Sequence, residues 1–161
     1  MLIALASDHG GFALKEHLKT WLEAHGHTCR DFGCLSTESC DYPDFGAAAA
    51  RAVAAGECDR GILICTTGIG ISITANKVHG IRCALCRDVY SAELTRRHNN
   101  ANVLALAGGF TGPFEAERIV ETFLSTDFEG GRHQRRVDKI MALHSVEAIY
   151  QNLDSVEAKP A

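Results

Sequence analysis

Apolar residues along this chain fall into two alternating patterns: short continuous runs, and longer stretches where they recur every three or four positions. The runs at Leu2 to Ala6, Thr28 to Phe32, Gly61 to Cys65, Ile81 to Cys86 and Val103 to Ala107 predict five strands. Runs that are apolar throughout belong to strands covered on both faces. Between them the spacing is helical. A first helix over Phe12 to His25 places Leu14, Leu18, Trp21 and Leu22 on one face, with Gly26 as its stop. A second follows Pro43, with Phe45, Ala48, Ala49, Ala52 and Val53 as its stripe and Gly56 after it. A third opens at Gly68 to Gly70 and runs through Asn76 or Lys77, and a fourth spans Val89 to His98. A fifth, Pro113 to Ser125, turns Ala116, Ile119, Val120, Phe123 and Leu124 inward. The segment from Glu129 begins a last helix whose stripe is Val137, Ile140, Met141 and His144.

Strand followed by helix throughout predicts an α/β protein built from right-handed crossovers. The expected architecture is a Rossmann-like three-layer α/β/α sandwich with a five-stranded, mostly parallel sheet. Residues 1–150 form one domain in this scheme. Residues 151–161 turn polar, end in Lys159-Pro160-Ala161, and are expected to fray. In such sheets ligands bind beyond the carboxyl ends of the strands at a topological switch point. Asp8, His9, Tyr42, Cys65 and His98 follow a strand or sit at a helix end, and are therefore expected together.

Composition narrows the partners. With 161 residues the chain can bury a core without staples, and its net charge of −4 with no basic tract argues against nucleic acid. The opening apolar run is broken at Asp8, too soon for a signal peptide or a membrane span, so a cytoplasmic protein with no membrane partner is expected. The seven cysteines show no paired-ligand spacing and are expected as reduced thiols. Cys83-Ala-Leu-Cys86 spells C-x-x-C, but on a strand residues three apart face opposite ways.

The chemistry concentrates in Gly61 to Lys77, where an apolar strand delivers Cys65 onto the turn Thr66-Thr67-Gly68-Ile69-Gly70. A turn of this kind presents N–H donors suited to a phosphate, a carboxylate or an oxyanion formed during reaction. A thiol placed there is favoured as thiolate and can act as nucleophile or base. A cysteine phosphatase needs an arginine completing the cradle, and Thr66 to Ser72 holds none. Dinucleotide binding lacks the third glycine and the position after the first strand. Acid/base work on a small anion remains: proton abstraction beside a carbonyl, with N–H groups stabilising an enediolate, Thr67 beside the base, and His9 or His98 exchanging protons. Arg132 and Arg136, four apart, share a helical face and could clamp a phosphate or form an ordinary solvated basic face.

These residues carry a resemblance. The motifs Ser7-Asp8-His9-Gly10-Gly11-Phe12, Asp41-Tyr42-Pro43, Gly61 to Gly70, Ala75-Asn76-Lys77, His98-Asn99 and Glu129-Gly130-Gly131-Arg132-His133 make the chain similar to the ribose-5-phosphate isomerase B family, which includes galactose-6-phosphate isomerase subunits. The match spans roughly Leu2 to Val137. It implies a metal-independent, cofactor-free aldose–ketose isomerase of the pentose phosphate pathway, acting through an enediolate. By position Cys65 would be the base between C1 and C2, Thr67 would assist at the carbonyl oxygens, and His98 would open the furanose ring. Asp8 and His9 would contact sugar and phosphate, Thr66, Gly68, Ile69 and Gly70 would form the anion hole, and Tyr42 and Asn99 would line the pocket. Arg132 and Arg136 would hold the phosphate. A homodimer or homotetramer with sites shared between subunits is implied. Some relatives use a glutamate as base a few residues further on. Ser72, Ile73 and Thr74 stand there, so the resemblance is to the cysteine type. One departure concerns the substrate: where pentose-phosphate enzymes commonly carry an arginine after the fifth strand, this chain has Gly109-Phe110. The same chemistry on allose 6-phosphate, galactose 6-phosphate or erythrulose 4-phosphate, or a non-catalytic sugar-phosphate binding subunit, stands beside ribose 5-phosphate.

Overall fold

The computed structural model describes residues 1–143; His144 and the expected frayed tail lie outside them. Five strands, β1 (Leu2–Ser7), β2 (Thr28–Asp31), β3 (Arg60–Cys65), β4 (Cys83–Leu85) and β5 (Val103–Ala107), form one sheet in the order β2-β1-β3-β5-β4. Every pairing is parallel. Parallel neighbours need crossover connections, which α1 (Phe12–Ala24), α2 (Tyr42–Ala54), α3 (Ile69–Ala75) and α4 (Val89–Asn99) supply. α5 (Pro113–Ser125) and α6 (Arg132–Ala142) complete the chain as described. The result is the expected Rossmann-like sandwich.

Alternation along the central strands sorts the core into two layers. Ile3, Leu5, Ile62, Ile64, Leu104 and Leu106 face α1, α4 and α5, where Leu14, Leu18, Leu22, Ile119 and Phe123 meet them. Burying each such side chain contributes roughly 1.5–3 kcal/mol. Ala4, Ala6, Leu63, Cys65, Val103 and Ala105 face α2 and α3. That second layer is built from small residues, so α2 and α3 lie close to the sheet and to each other. Cys65 belongs to it, which brings its thiol to the side where α2 and α3 begin.

Several boundaries differ from those the apolar pattern predicts. β4 is shorter than Ile81 to Cys86, because the Arg82 N–H donates to the Asn102 side chain at 2.8 Å instead of entering the ladder. α3 stops at Ala75, where Asn76 turns aside: its amide donates to Cys83 O at 2.9 Å and accepts from Cys83 N at 2.8 Å. α2 starts at Tyr42, with proline in its first turn, and its covered face is Gly46, Ala49, Ala50, Ala52 and Val53 rather than one including Ala48. α6 begins at Arg132; it buries Val137 and His133, while Ile140 stays exposed. Cys83 packs against the α2/α3 layer and Cys86 lies in the other, so the C-x-x-C pair is split by the sheet. Burial pushes the Cys86 thiol up to about 11 and that of Cys83 higher still.

One charged network sits inside this frame. Lys15, wholly buried on α1, donates to Asp31 at the end of β2 at 2.6 Å and to Glu16 at 2.8 Å. Burial opposes ionisation of Asp31, but hydrogen bonds from Lys15 and the Gly33 N–H prevail and hold its carboxyl below the usual value. A depressed carboxyl contributes stability above the unfolded-state pKa and loses it as pH falls through the folded one. Urea midpoints should therefore fall as the pH drops below about 4. Lys15→Met should flatten part of that acid limb and cost about 1–3 kcal/mol near neutrality, because it leaves the half-buried Asp31 carboxylate with only Lys19 at 3.3 Å and the Gly33 N–H as partners. An unchanged midpoint at neutral pH would show the network to be dispensable.

Candidate active site

The chain reverses its direction of sheet growth between β1 and β3, so the crevice beyond their carboxyl ends is the switch point. β1 ends at Ser7 and releases Asp8-His9; β3 ends at Cys65 and releases the glycine turn; β5 ends at Ala107 and releases Gly108-Gly109. Backbone bonds tie the three loops together. Asp8 N donates to Ile64 O at 3.2 Å, Gly108 N to Cys65 O at 2.8 Å, and Gly109 N to Thr66 O at 3.0 Å.

Cys65 is 3% exposed, and the Gly68 N–H donates to its Sγ at 3.1 Å. The Ile69 N–H reaches Thr67 Oγ1 at 3.3 Å. Two successive donors of the turn are thus aimed at the thiol and at the hydroxyl beside it. Gly68 makes this geometry possible with φ of 73°, and a Cβ there would stand 2.9 Å from Leu106 O and clash with Leu85. Gly70 lacks a side chain for another reason: the ring of Tyr42, on the first turn of α2, occupies the space where a Cβ would be. Thr66 and Ile69 are exposed on the rim.

Asp8 is buried and its Oδ1 accepts from Gly11 N at 3.0 Å, which holds the loop at the head of α1. His9 is exposed, and its Nδ1 accepts from Cys40 N at 3.2 Å. That bond assigns the proton to Nε2, leaving an N–H donor facing outward. Ser72, where some relatives would carry a glutamate, spends its hydroxyl on Ile69 O at 2.8 Å and offers no base. Beside the turn, Gly109 extends no cation toward it, and Phe110 is 75% exposed.

His98 is not part of this crevice within one protomer, contrary to the grouping inferred from helix ends. A crossover helix returns the chain to the amino end of the next strand, so the last turn of α4 lies where β5 begins. Cys65 pairs with Ala107 at the other end of β5, a strand length of about 13 Å away. Asn99 shares that position. Arg132 and Arg136 stand exposed on the first turns of α6, which packs on α4, and neither enters an ion pair among the described residues.

This second cluster has an order of its own. The His98 and His133 rings stack 4.3 Å apart with planes 8° from parallel. Glu129, just before α6, accepts from Arg97 Nε through Oε1 at 2.6 Å and presents Oε2 3.8 Å from His98 Nε2 and 3.4 Å from His133 Nε2. Arg97 holds the Glu129 carboxyl below its ordinary value. Burial first, then the nearby charges of His98 and Arg132, lower His133. The ligand atoms of His98, Glu129 and His133 lie within 4.8 Å of one another and are the described residues best placed to take a cation. Arg97 already engages the carboxylate, however, and Arg132 Nε donates to His133 Nε2 at 3.3 Å. Glu129 and His133 were visible in the sequence as a pair four apart, but nothing there linked them to Arg97 or His98, some thirty residues earlier.

Comparison with known proteins gives a consistent picture. The profile described as ribose/galactose isomerase matches residues 3–140. The chain is 48% identical over 141 residues to ribose-5-phosphate isomerase B of Escherichia coli, covering 88% of this chain and 95% of that one. It is 42% identical over 139 residues to D-erythrulose-4-phosphate isomerase of Pectobacterium atrosepticum, covering 86% and 91%. The structure of Clostridium thermocellum ribose-5-phosphate isomerase B superposes with a TM-score of 0.89 at 51% identity, covering 93% of this chain and 99% of that one. That of the Mycoplasma genitalium enzyme with bound ribulose 5-phosphate superposes with a TM-score of 0.84 at 43% identity, covering 88% and 94%.

Proposed function

This chain belongs to the ribose/galactose isomerase family, and from that premise we propose that it interconverts ribose 5-phosphate and ribulose 5-phosphate through an enediolate. It is an aldose–ketose isomerase of a phosphorylated sugar. The observation that carries the mechanism is the Gly68 N–H at 3.1 Å from Cys65 Sγ, at the mouth of a crevice at the switch point. His98 takes the O1 proton of the furanose and delivers one to the ring oxygen as the C1–O4 bond breaks. Cys65 as thiolate removes the C2 proton; electrons move onto O1, and the enediolate is met by the turn Thr66 to Gly70. Thr67 passes the proton between O1 and O2, and Cys65 returns its proton to C1. His9, Arg132 and Arg136 hold the phosphate, with Asp8, Tyr42 and Asn99 bounding the sugar.

Since His98, Asn99 and both arginines lie a strand length from Cys65, we assign them to the site of a partner protomer. A twofold homodimer, alone or paired into a tetramer, brings the two half-sites together. Residues 1–150 act as one isomerase domain in this scheme. A cytoplasmic location accords with seven unpaired cysteines and with the described residues containing no helix long and apolar enough to cross a membrane.

A second substrate is favoured by one observation. Gly109 places no guanidinium beside the turn, and one relative is named for erythrulose 4-phosphate. The experiment is kcat/KM for ribose 5-phosphate, allose 6-phosphate, galactose 6-phosphate and erythrulose 4-phosphate, with and without a chelator. Highest efficiency on ribose 5-phosphate, unchanged by chelation, is the expected result. Preference for another sugar would make Gly109 the specificity determinant, and no turnover of any would leave a binding subunit.

A further inference from the structure

We propose that Glu129 is a positioning residue for His98: its Oε2 holds the His98 Nε2–H, which leaves Nδ1 as the nitrogen that takes and returns the proton in ring opening. The inference rests on the assignment of ring opening to His98. Glu129 is fixed twice to the last turn of α4. Its Oε1 accepts from Arg97 Nε at 2.6 Å, and its backbone N–H donates to Arg97 O at 3.1 Å. Arg97 is in turn braced by Glu93 at 2.7 Å. The remaining oxygen, Oε2, faces two imidazoles, His133 through Nε2 at 3.4 Å and His98 through Nε2 at 3.8 Å. His133 Nε2 already accepts from Arg132 Nε at 3.3 Å, so its proton sits on Nδ1, in keeping with the burial that disfavours its charged form. His98 is left as the donor.

The Nε2 to Oε2 separation of 3.8 Å is longer than a hydrogen bond. Such contacts often tighten when a substrate binds, and the plane of the His98 ring, 34% exposed, is set by its neighbour. Motion out of that plane is blocked by the stacked His133 ring 4.3 Å away. A carboxylate on one imidazole nitrogen sets the tautomer and direction of the other, which is the logic of a buried acid behind a catalytic histidine. During ring opening the O1 proton passes to Nδ1 and on to O4 while the C1–O4 bond breaks, so His98 ends as it began. Glu129 touches neither substrate nor reacting atoms.

Two assays separate positioning from a merely structural role. Ribose 5-phosphate enters mainly as a furanose and needs ring opening. Ribulose 5-phosphate is open-chain, because its O5 is esterified, and exchange of its C1 hydrogen with solvent deuterium reports proton transfer by Cys65 without ring opening. Glu129→Gln should lower kcat on ribose 5-phosphate about tenfold or more with KM nearly unchanged, and leave C1 exchange within about twofold. Glu129→Asp, which keeps the charge, should retain more of the aldose rate than Glu129→Gln. Equal loss in both assays, or none in either, would overturn the positioning role. His98→Ala is the control. If it loses aldose turnover selectively while Glu129→Gln does not, the role of Glu129 falls and ring opening by His98 stands. If His98→Ala shows no selective loss, the assignment to His98 falls first and that of Glu129 with it.

Discussion

Replacing Cys65 with alanine should lower kcat by about 10²–10⁴-fold while substrate still binds, the loss typical of removing a positioned general base. The thiol is 3% exposed and one atom larger than the group left behind, so the change opens little space. Asp8, His9, Tyr42 and the Thr66 to Gly70 turn stay in place, held by Gly11 N on Asp8, Gly109 N on Thr66 O and the Tyr42 ring over Gly70. Titration calorimetry with ribulose 5-phosphate should therefore give a Kd close to that of the unaltered protein. Deuterium exchange at C1 should disappear with turnover, since the same thiol carries that proton. Residual turnover within about threefold of the original would remove Cys65 from the mechanism, because no general base contributes so little.

Mixing two inactive variants should restore activity. Cys65→Ala and His98→Ala each lose turnover of ribose 5-phosphate when assembled alone. If each site joins Cys65 of one protomer to His98 of another, a mixed dimer contains one site with both residues and one with neither. Random reassembly makes half of the dimers mixed, and each of those has one of its two sites intact, so about a quarter of the original activity should return. Coexpression of differently tagged chains, followed by tandem purification of the mixed dimer, would raise that to about half. A mixture no more active than the mean of its components would place both residues in the same protomer's site. That result would contradict the topology, which sets them at opposite ends of β5.

Much of the crevice was legible in the sequence because its parts are local. Cys65, Thr67 and Gly68 to Gly70 are consecutive or nearly so, and a strand followed by a glycine turn specifies both where the thiol points and which N–H groups meet it. Asp8 and His9 follow a strand directly and could be placed by the same rule. The boundaries of β4 and α3 were not legible, since both are set by side chains reaching across the fold: Asn102 to Arg82, and Asn76 to Cys83. Ala50 could not be told from Ala48 as a buried position on α2, because a run of four alanines carries no periodic signal. The separation of His98 from Cys65 within one protomer was not legible for a different reason. Being at a helix end says nothing of which end of the sheet that helix end occupies.

By itself, then, the order of apolar and polar residues determined five strands, the helices between them, and parallel crossovers, because side-chain periodicity is a local property of each backbone conformation. It also placed the Cys65 thiol and the N–H donors of the turn after β3 beside one another. Only the tertiary structure decided the strand order, the separation of Cys65 from His98, and the array of Arg97, Glu129, His133 and His98. Those depend on contacts between residues far apart in the chain, where a hydrogen bond forms only after packing has brought its donor and acceptor to the same place.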